Sequence, residues 1–232
     1  KMHEASIKYT SSVTPLGQYE CLRMPFGLTN APRVFQRFIH TVYAPLIREN
    51  KILLYLDDIL VATESMDKHI EILRRVFELS GQYRLQFRLD KCCFARTEIK
   101  YLGYCINQHG IRPSDENVES VLSYPIPRSA KEVQRFIGLA SYIRRFIPGF
   151  SVIAKPLYDL VKKNAIFVFG AAESSAMETL RDRLSNGPVL AIYSPHAETE
   201  LHCDASVSGF GGILLQKQSD GAWRPIAFWS QR

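Results

Sequence analysis

Residues 52–63 read Ile52-Leu53-Leu54-Tyr55-Leu56-Asp57-Asp58-Ile59-Leu60-Val61-Ala62-Thr63, two short apolar runs split by an acidic pair. Runs of that length with polar residues between them predict a tight β-hairpin. Nothing about folding asks for two adjacent carboxylates at the turn. They repel one another, and Asn-Gly or Asp-Gly would turn the chain better. Flanking strands that are apolar on both faces make a rigid mount. Mg²⁺ needs such a mount, because it prefers oxygen ligands in near-octahedral geometry. Ions held in pairs roughly 3.5–4 Å apart serve phosphoryl-type transfer. An acidic pair in a turn is also common as a plain solvated surface. The tetrapeptide Tyr55–Asp58 is therefore read together with its neighbours.

On the N-terminal side, Asn30 before Ala31-Pro32 predicts a helix start, with Val34, Phe35, Phe38, Ile39 and Val42 as its apolar stripe. On the C-terminal side, Asp67 is expected to cap a helix with Ile70, Leu73, Val76 and Phe77 on one face, stopped by Ser80-Gly81. Beyond position 110 the texture changes. Pro113, Pro125, Pro127 and Pro148 punctuate helical stretches, and Ser129-Ala130-Lys131-Glu132 is a capping box opening a helix through roughly Arg145. A further helix fits 171–186, ended by Gly187-Pro188. Strands follow at 199–205, 210–217 and 222–229, with Ser219-Asp220-Gly221 as a turn. The order is α+β, then helical, then β-rich, with soft boundaries near 110 and 170.

The bulk numbers agree with a folded chain of one to two domains: 232 residues, 46% hydrophobic. A net charge of +6 and a pI near 9.1 lean toward an acidic partner such as nucleic acid. Residues 68–100 hold eight Lys/Arg against four Asp/Glu, and 128–146 hold five against one, interleaved with Phe136, Tyr142 and Phe146. Such surfaces track phosphates, although aromatics at helical spacing also fit a core. The five cysteines, Cys21, Cys92, Cys93, Cys105 and Cys203, show neither a disulfide framework nor zinc spacing. Reduced thiols in a cytosolic or nuclear setting, not a secreted one, are the expectation. No apolar run approaches the roughly 18 residues of a membrane span, so no membrane partner is expected.

Several boxes in register then carry a resemblance. Pro25-Phe26-Gly27-Leu28-Thr29-Asn30-Ala31-Pro32, Phe35-Gln36 and the Tyr55–Asp58 box resemble the reverse transcriptases of gypsy-like long-terminal-repeat retrotransposons, carried in Pol polyproteins. Lys91-Cys92 with Phe94, Tyr101-Leu102-Gly103-Tyr104, Gly110-Ile111 and Pro113 resemble the next polymerase motifs. Phe136-Ile137-Gly138-Leu139, Tyr142, Arg144-Arg145-Phe146-Ile147 and Lys155-Pro156-Leu157 are similar to that family's connecting segment. Pro188-Val189-Leu190 and Asp204-Ala205-Ser206 resemble the approach to its ribonuclease H (RNase H) domain.

The resemblance implies an α+β fold: a polymerase palm over 1–107, a helical thumb/connection segment over 108–167, and the first strands of an RNase H-like domain over 168–232. It implies an RNA-directed DNA polymerase, a nucleotidyltransferase that adds to a primer 3′-hydroxyl with two Mg²⁺ ions. Asp57 and Asp58 would be metal-site carboxylates. Phe26, Gly27 and Tyr55 would lie at the nucleotide. Lys91 would be a charge partner or proton donor at the triphosphate. Gln36 would support the template side, and Leu102, Gly103 and Tyr104 would form the primer grip. Asp204 would be one ligand of an RNase H metal site. The implied partners are an RNA/DNA template-primer, a deoxynucleoside triphosphate (dNTP) and other parts of the Pol polyprotein, in the cytoplasm (in a virus-like particle) or the nucleus.

The family places another catalytic aspartate, and its fingers, ahead of the segment beginning here. It also places further RNase H carboxylates after it. The expectation is a chain truncated at both ends, with an incomplete RNase H site and no activity alone. Arg33, Tyr124 and Phe169 depart from the family pattern. The alternative is a catalytically inactive nucleic-acid-binding remnant or domesticated fragment, which needs the basic surface but not Asp57 or Asp58. A third reading, a protein-interaction module, rests on the stripe Val133, Phe136, Ile137 and Ala140.

Overall fold

The structure, a computed structural model, describes residues 1–206 and 209–231. The fold is α+β and divides into two compact units, Lys1–Ala95 and Arg96–Arg232.

The first unit opens with a short helix α1 (Glu4–Ile7) and the hairpin β1 (Ser12–Thr14) and β2 (Gly17–Tyr19). Helices α2 (Ala31–Val42) and α3 (Ala44–Arg48) lead to the hairpin β3 (Leu53–Tyr55) and β4 (Asp58–Leu60), and α4 (Met66–Gln82) follows. Its core is Ile39, Val42, Tyr43, Leu46, Ile52, Ile72 and Val76.

Three local expectations are corrected here. Pro32 does sit in the first turn of α2, but Asn30 makes no side-chain cap bond and is itself in helical conformation. Helix α4 is capped by Ser65, whose Oγ accepts from Lys68 N at 3.4 Å; Asp67 lies inside the first turn, where its charge suits the helix dipole. The helix also runs through Ser80-Gly81 instead of stopping there. Ser80 is buried, with its Oγ donating to Val76 O (2.6 Å) and sharing a 2.7 Å bond with Tyr43 Oη. Tertiary anchoring outweighs the weak helix propensity of the pair. The turn-off comes at Arg84 (φ 56°), where Leu85 N returns to Ser80 O at 2.8 Å.

The buried face of α4 is Ile72, Val76 and Ser80. Of the expected stripe, Val76 is interior, while Ile70 and Phe77 are exposed and line an open depression with Leu73, Arg74 and Glu78. The helix is apolar on two sides, so periodicity alone offered two candidate faces.

The second unit begins with the antiparallel meander β5 (Glu98–Tyr101), β6 (Tyr104–Asn107) and β7 (Gly110–Pro113). Next come α5 (Asp115–Leu122) and α6 (Ala130–Tyr142). The short helices α7 (Phe150–Ile153) and α8 (Lys155–Leu160) precede α9 (Ala171–Ser185). The antiparallel strands β8 (Thr199–Ser206), β9 (Gly209–Lys217) and β10 (Trp223–Gln231), in order β10-β9-β8, close the unit. Ser129 opens α6 as expected, accepting from Glu132 N at 3.3 Å. The Glu132 carboxylate reaches back to Arg128 N at 2.7 Å. The helix ends at Tyr142, and Arg144–Phe146 form a 3₁₀ turn.

Val133, Phe136, Ile137 and Ala140 are interior, packed with Val121, Phe146, Leu157, Met177, Leu180 and Leu190. The stripe that carried the interaction-module reading is core. Leu190 pairs with Ile111 of β7 through backbone bonds of 2.7 and 2.9 Å, and Ala191 N donates to Pro225 O of β10 at 2.8 Å. Residues 190–191 thus join the two sheets of this unit.

Candidate polymerase site and its relatives

The acidic pair sits on the β3–β4 hairpin. Tyr55 pairs with Asp58, leaving Leu56 and Asp57 as a two-residue turn. Leu56 has φ 51°, a conformation that disfavours a branched side chain by roughly 1–2 kcal/mol. What holds it there is Gln36 of α2, whose side-chain oxygen accepts from Leu56 N at 2.5 Å. The helix and the turn, twenty positions apart, are one construction. Asp57 and Asp58 are exposed, and no side-chain hydrogen bond or ion pair engages either carboxylate among the described residues. Tyr55 is exposed beside them. Two unneutralised carboxylates on a braced, strained turn supply hard oxygen ligands and little else. That donor set fits Mg²⁺, which is commonly held by one or two carboxylates plus substrate phosphates and water. Among the described residues no group of three or more His, Cys, Asp or Glu side chains is gathered to hold a metal.

The other expected site residues are placed as follows. Phe26 is fully exposed in a turn with Gly27, whose φ is 91° and over which a Cβ would meet nothing within 4 Å. The backbone angle, not crowding, calls for glycine. Lys91 closes a 3₁₀ turn (Leu89–Lys91), is exposed, and makes no ion pair with Asp57 or Asp58. Leu102 and Gly103 form the β5–β6 turn, both at positive φ (47° and 70°), as a type I′ hairpin requires. Strand β6 is the middle strand of its sheet, so Tyr104 does not lie on an edge. Burial and the neighbouring Tyr142 push the Tyr104 hydroxyl above its ordinary pKa. Asp204 lies exposed on β8, opposite Gly211.

Part of each basic cluster bonds within the protein. Arg144 donates to Ser230 O, and Arg145 donates to Ile226 O at 3.1 Å, both in β10. Their guanidinium groups also lie over Phe150 and Phe146. Both half-buried arginines thereby tie the Arg144–Phe146 turn to β10. In the first cluster Lys68, Arg75, Arg88 and Lys100 are each ion-paired to a carboxylate. Composition counted charges without their partners. Sequence reasoning also missed Asn117, and took Tyr142 only as a motif residue. Both contact the Leu102–Gly103 turn, a placement visible only after α5 and α6 pack.

Hairpin-mounted carboxylates braced by a helix are followed in sequence by a second hairpin and a further antiparallel sheet. Residues 1–106 match the family described as reverse transcriptase (RNA-dependent DNA polymerase), and residues 169–232 match the RNase H-like domain found in reverse transcriptase. The chain is 37% identical over its whole length to the Retrovirus-related Pol polyprotein from transposon 297 of Drosophila melanogaster, covering 21% of that protein. It is 32% identical over 218 residues, 94% of its length, to the Transposon Tf2-3 polyprotein of Schizosaccharomyces pombe, covering 16% of it. Among solved structures, the foamy viral protease-reverse transcriptase dRH in complex with double-stranded DNA matches 99% of the chain and 40% of its own length, at TM-score 0.86 and 26% identity. The same viral protein in complex with an RNA/DNA hybrid matches 99% of the chain and 31% of its own length, at TM-score 0.81. The chain is thus similar over its whole length to retrotransposon Pol polyproteins, with a reverse transcriptase match in its N-terminal part and an RNase H-like match in its C-terminal part, and it spans about a fifth of the length of those relatives.

Proposed function

We propose that this chain contributes the catalytic hairpin of an RNA-directed DNA polymerase that extends a primer 3′-hydroxyl on a nucleic-acid template. The observation that carries the reading is the pair Asp57 and Asp58, unpaired and exposed on a turn that Gln36 braces. Asp57 and Asp58 would hold Mg²⁺, which when bound supplies activation of the attacking hydroxyl and charge relief at the leaving pyrophosphate. Phe26, Gly27 and Tyr55 offer an exposed aromatic and glycine surface to a dNTP. Lys91 offers an unpaired ammonium to its triphosphate. The oxygen of Gln36 is committed to the turn, which leaves its NH₂ to donate toward a template strand. Leu102, Gly103 and Tyr104 receive the primer. Asp204 would be one ligand of a separate RNase H metal site, within a palm (1–107), connection (108–167) and RNase H-like (168–232) organisation. The foamy viral relative, solved with double-stranded DNA and with an RNA/DNA hybrid, supports a nucleic-acid partner. Residence in the cytoplasm or nucleus, beside other Pol segments, belongs to the same proposal; among the described residues no helix is long and apolar enough to cross a membrane.

Primer extension on a primed RNA template by a Pol protein containing these residues tests the reading. Asp57→Asn and Asp58→Asn are each expected to lower extension about a thousandfold, as several kcal/mol of charge stabilisation implies. Extension that survives both substitutions would sink it.

A further inference from the structure

The Leu102–Gly103 turn is tied down from outside its own hairpin. Tyr142, the last residue of α6, donates its hydroxyl to Leu102 O at 2.7 Å. Asn117 of α5 donates Nδ2 to Gly103 O at 2.8 Å, and Ser114 N donates to the same carbonyl at 3.0 Å. The Tyr142 ring lies parallel to that of Tyr104, with 5.7 Å between centroids and 7° between planes. Tyr104 Oη returns to Tyr142 O at 3.2 Å. A Cβ on Gly103 would stand 2.5 Å from Asn117 Nδ2 and 2.9 Å from the Tyr142 ring. The glycine is required by this close approach as well as by its φ of 70°.

A type I′ turn ending in glycine closes a hairpin without such help. Here both turn carbonyls are drawn toward the helices. The peptide N–H groups of Leu102 and Gly103 make no hydrogen bond among the described residues. Two successive free N–H groups on a turn tethered through its carbonyls suit a phosphate oxygen of a nucleic-acid backbone.

We infer that Tyr142 and Asn117 are positioning residues for the primer strand: they fix the Leu102–Gly103 turn so that its N–H groups meet the backbone next to the 3′ end. The inference rests on the reading of Leu102–Tyr104 as a primer-binding element. Neither side chain touches the primer; each acts through the turn carbonyl it holds.

The test is fluorescence anisotropy of the full chain with two probes: a primer–template with a recessed 3′ end, and a dumbbell duplex of equal length with no free end. The parent is expected to prefer the recessed end. Tyr142→Phe, which keeps the ring on Tyr104 and removes only the hydroxyl, is expected to lower that preference about three- to tenfold. Asn117→Ala is expected to do the same, with tryptophan-detected melting of both variants within a few degrees of the parent. Should Asn117→Ala fail to fold, Tyr142→Phe still decides. If the parent prefers the recessed end and Gly103→Ala loses that preference, while Tyr142→Phe keeps it in full, the positioning role is wrong and the primer-binding reading stands. If the parent shows no preference, the reading of Leu102–Tyr104 fails, and the inference fails with it.

Discussion

Ser80 shows how one residue can defeat a local signal. By type it belongs at a helix end, beside Gly81, yet it lies buried inside α4 and shares a 2.7 Å hydrogen bond with the phenol of Tyr43. Burial pushes the Tyr43 hydroxyl above its ordinary pKa, so it stays protonated and needs a partner. Ser80→Ala is expected to cost about 1–3 kcal/mol in urea unfolding, because it strands that hydroxyl in the core. Tyr43→Phe in the same background should recover part of the loss, and additive effects of the two substitutions would refute the coupling. Leu56 teaches the same lesson at the site. A leucine at φ 51° looks from sequence like one more apolar strand residue. Asp57 and Asp58 stood out in the sequence as an acidic pair in a hairpin. The brace from Gln36 did not, because it depends on how a helix meets a turn twenty residues later.

At the scale of elements, hairpins and the stripe of α6 were readable and the buried face of α4 was not. The tight hairpin around the acidic pair and the helix start at Ser129 depend on neighbours within four positions, and both appear; the turn itself falls one residue earlier than the acidic pair, at Leu56–Asp57, and the Glu132 carboxylate bonds Arg128 N in place of Ser129 N. The buried face of α4 depends on what covers it. Phe77 points to a surface depression while Ile72 fills the core. The join between the two sheets of the second unit is likewise invisible in sequence, although both of its partners were noticed there as motifs. Gly110 has φ 142°, and a Cβ on it would stand 2.2 Å from Leu190 O, the atom that accepts from Ile111 N. Gly110→Ala should therefore break the bridge between β7 and residue 190. A loss above about 2 kcal/mol is expected in chemical denaturation. A variant as stable as the parent would show that the approach at Gly110 relaxes freely.

At the scale of the whole molecule, the two units carry two cores with no member in common. Both tryptophans, Trp223 and Trp229, belong to the second unit. Tryptophan emission therefore reports on that unit, and far-ultraviolet circular dichroism on both. Leu46→Ala, in the first core, should cost about 2–5 kcal/mol there and shift part of the dichroism transition. The tryptophan midpoint is expected to stay within experimental error. Joint movement of both signals would mean that the units unfold as one. Charge counts do not show which basic residues bond internally. Arg144 and Arg145 carry the charge of a nucleic-acid surface, but the second unit uses them to hold β10.

The sequence by itself determined the α+β class and the hairpin that mounts Asp57 and Asp58, which rest on short-range chemistry: turn residues, caps, alternation, and carboxylates where folding has no need of them. The family resemblance and the order of its parts were carried by several motifs standing in register. Only the tertiary structure decided which face of α4 is core, which basic residues are spent on internal bonds, and that Gln36, Asn117 and Tyr142 hold the Leu56–Asp57 and Leu102–Gly103 turns. Each of those depends on groups brought together across 14 to 86 positions of chain. A hydrogen bond or a buried face has no sequence-local signature when its partner is that far away.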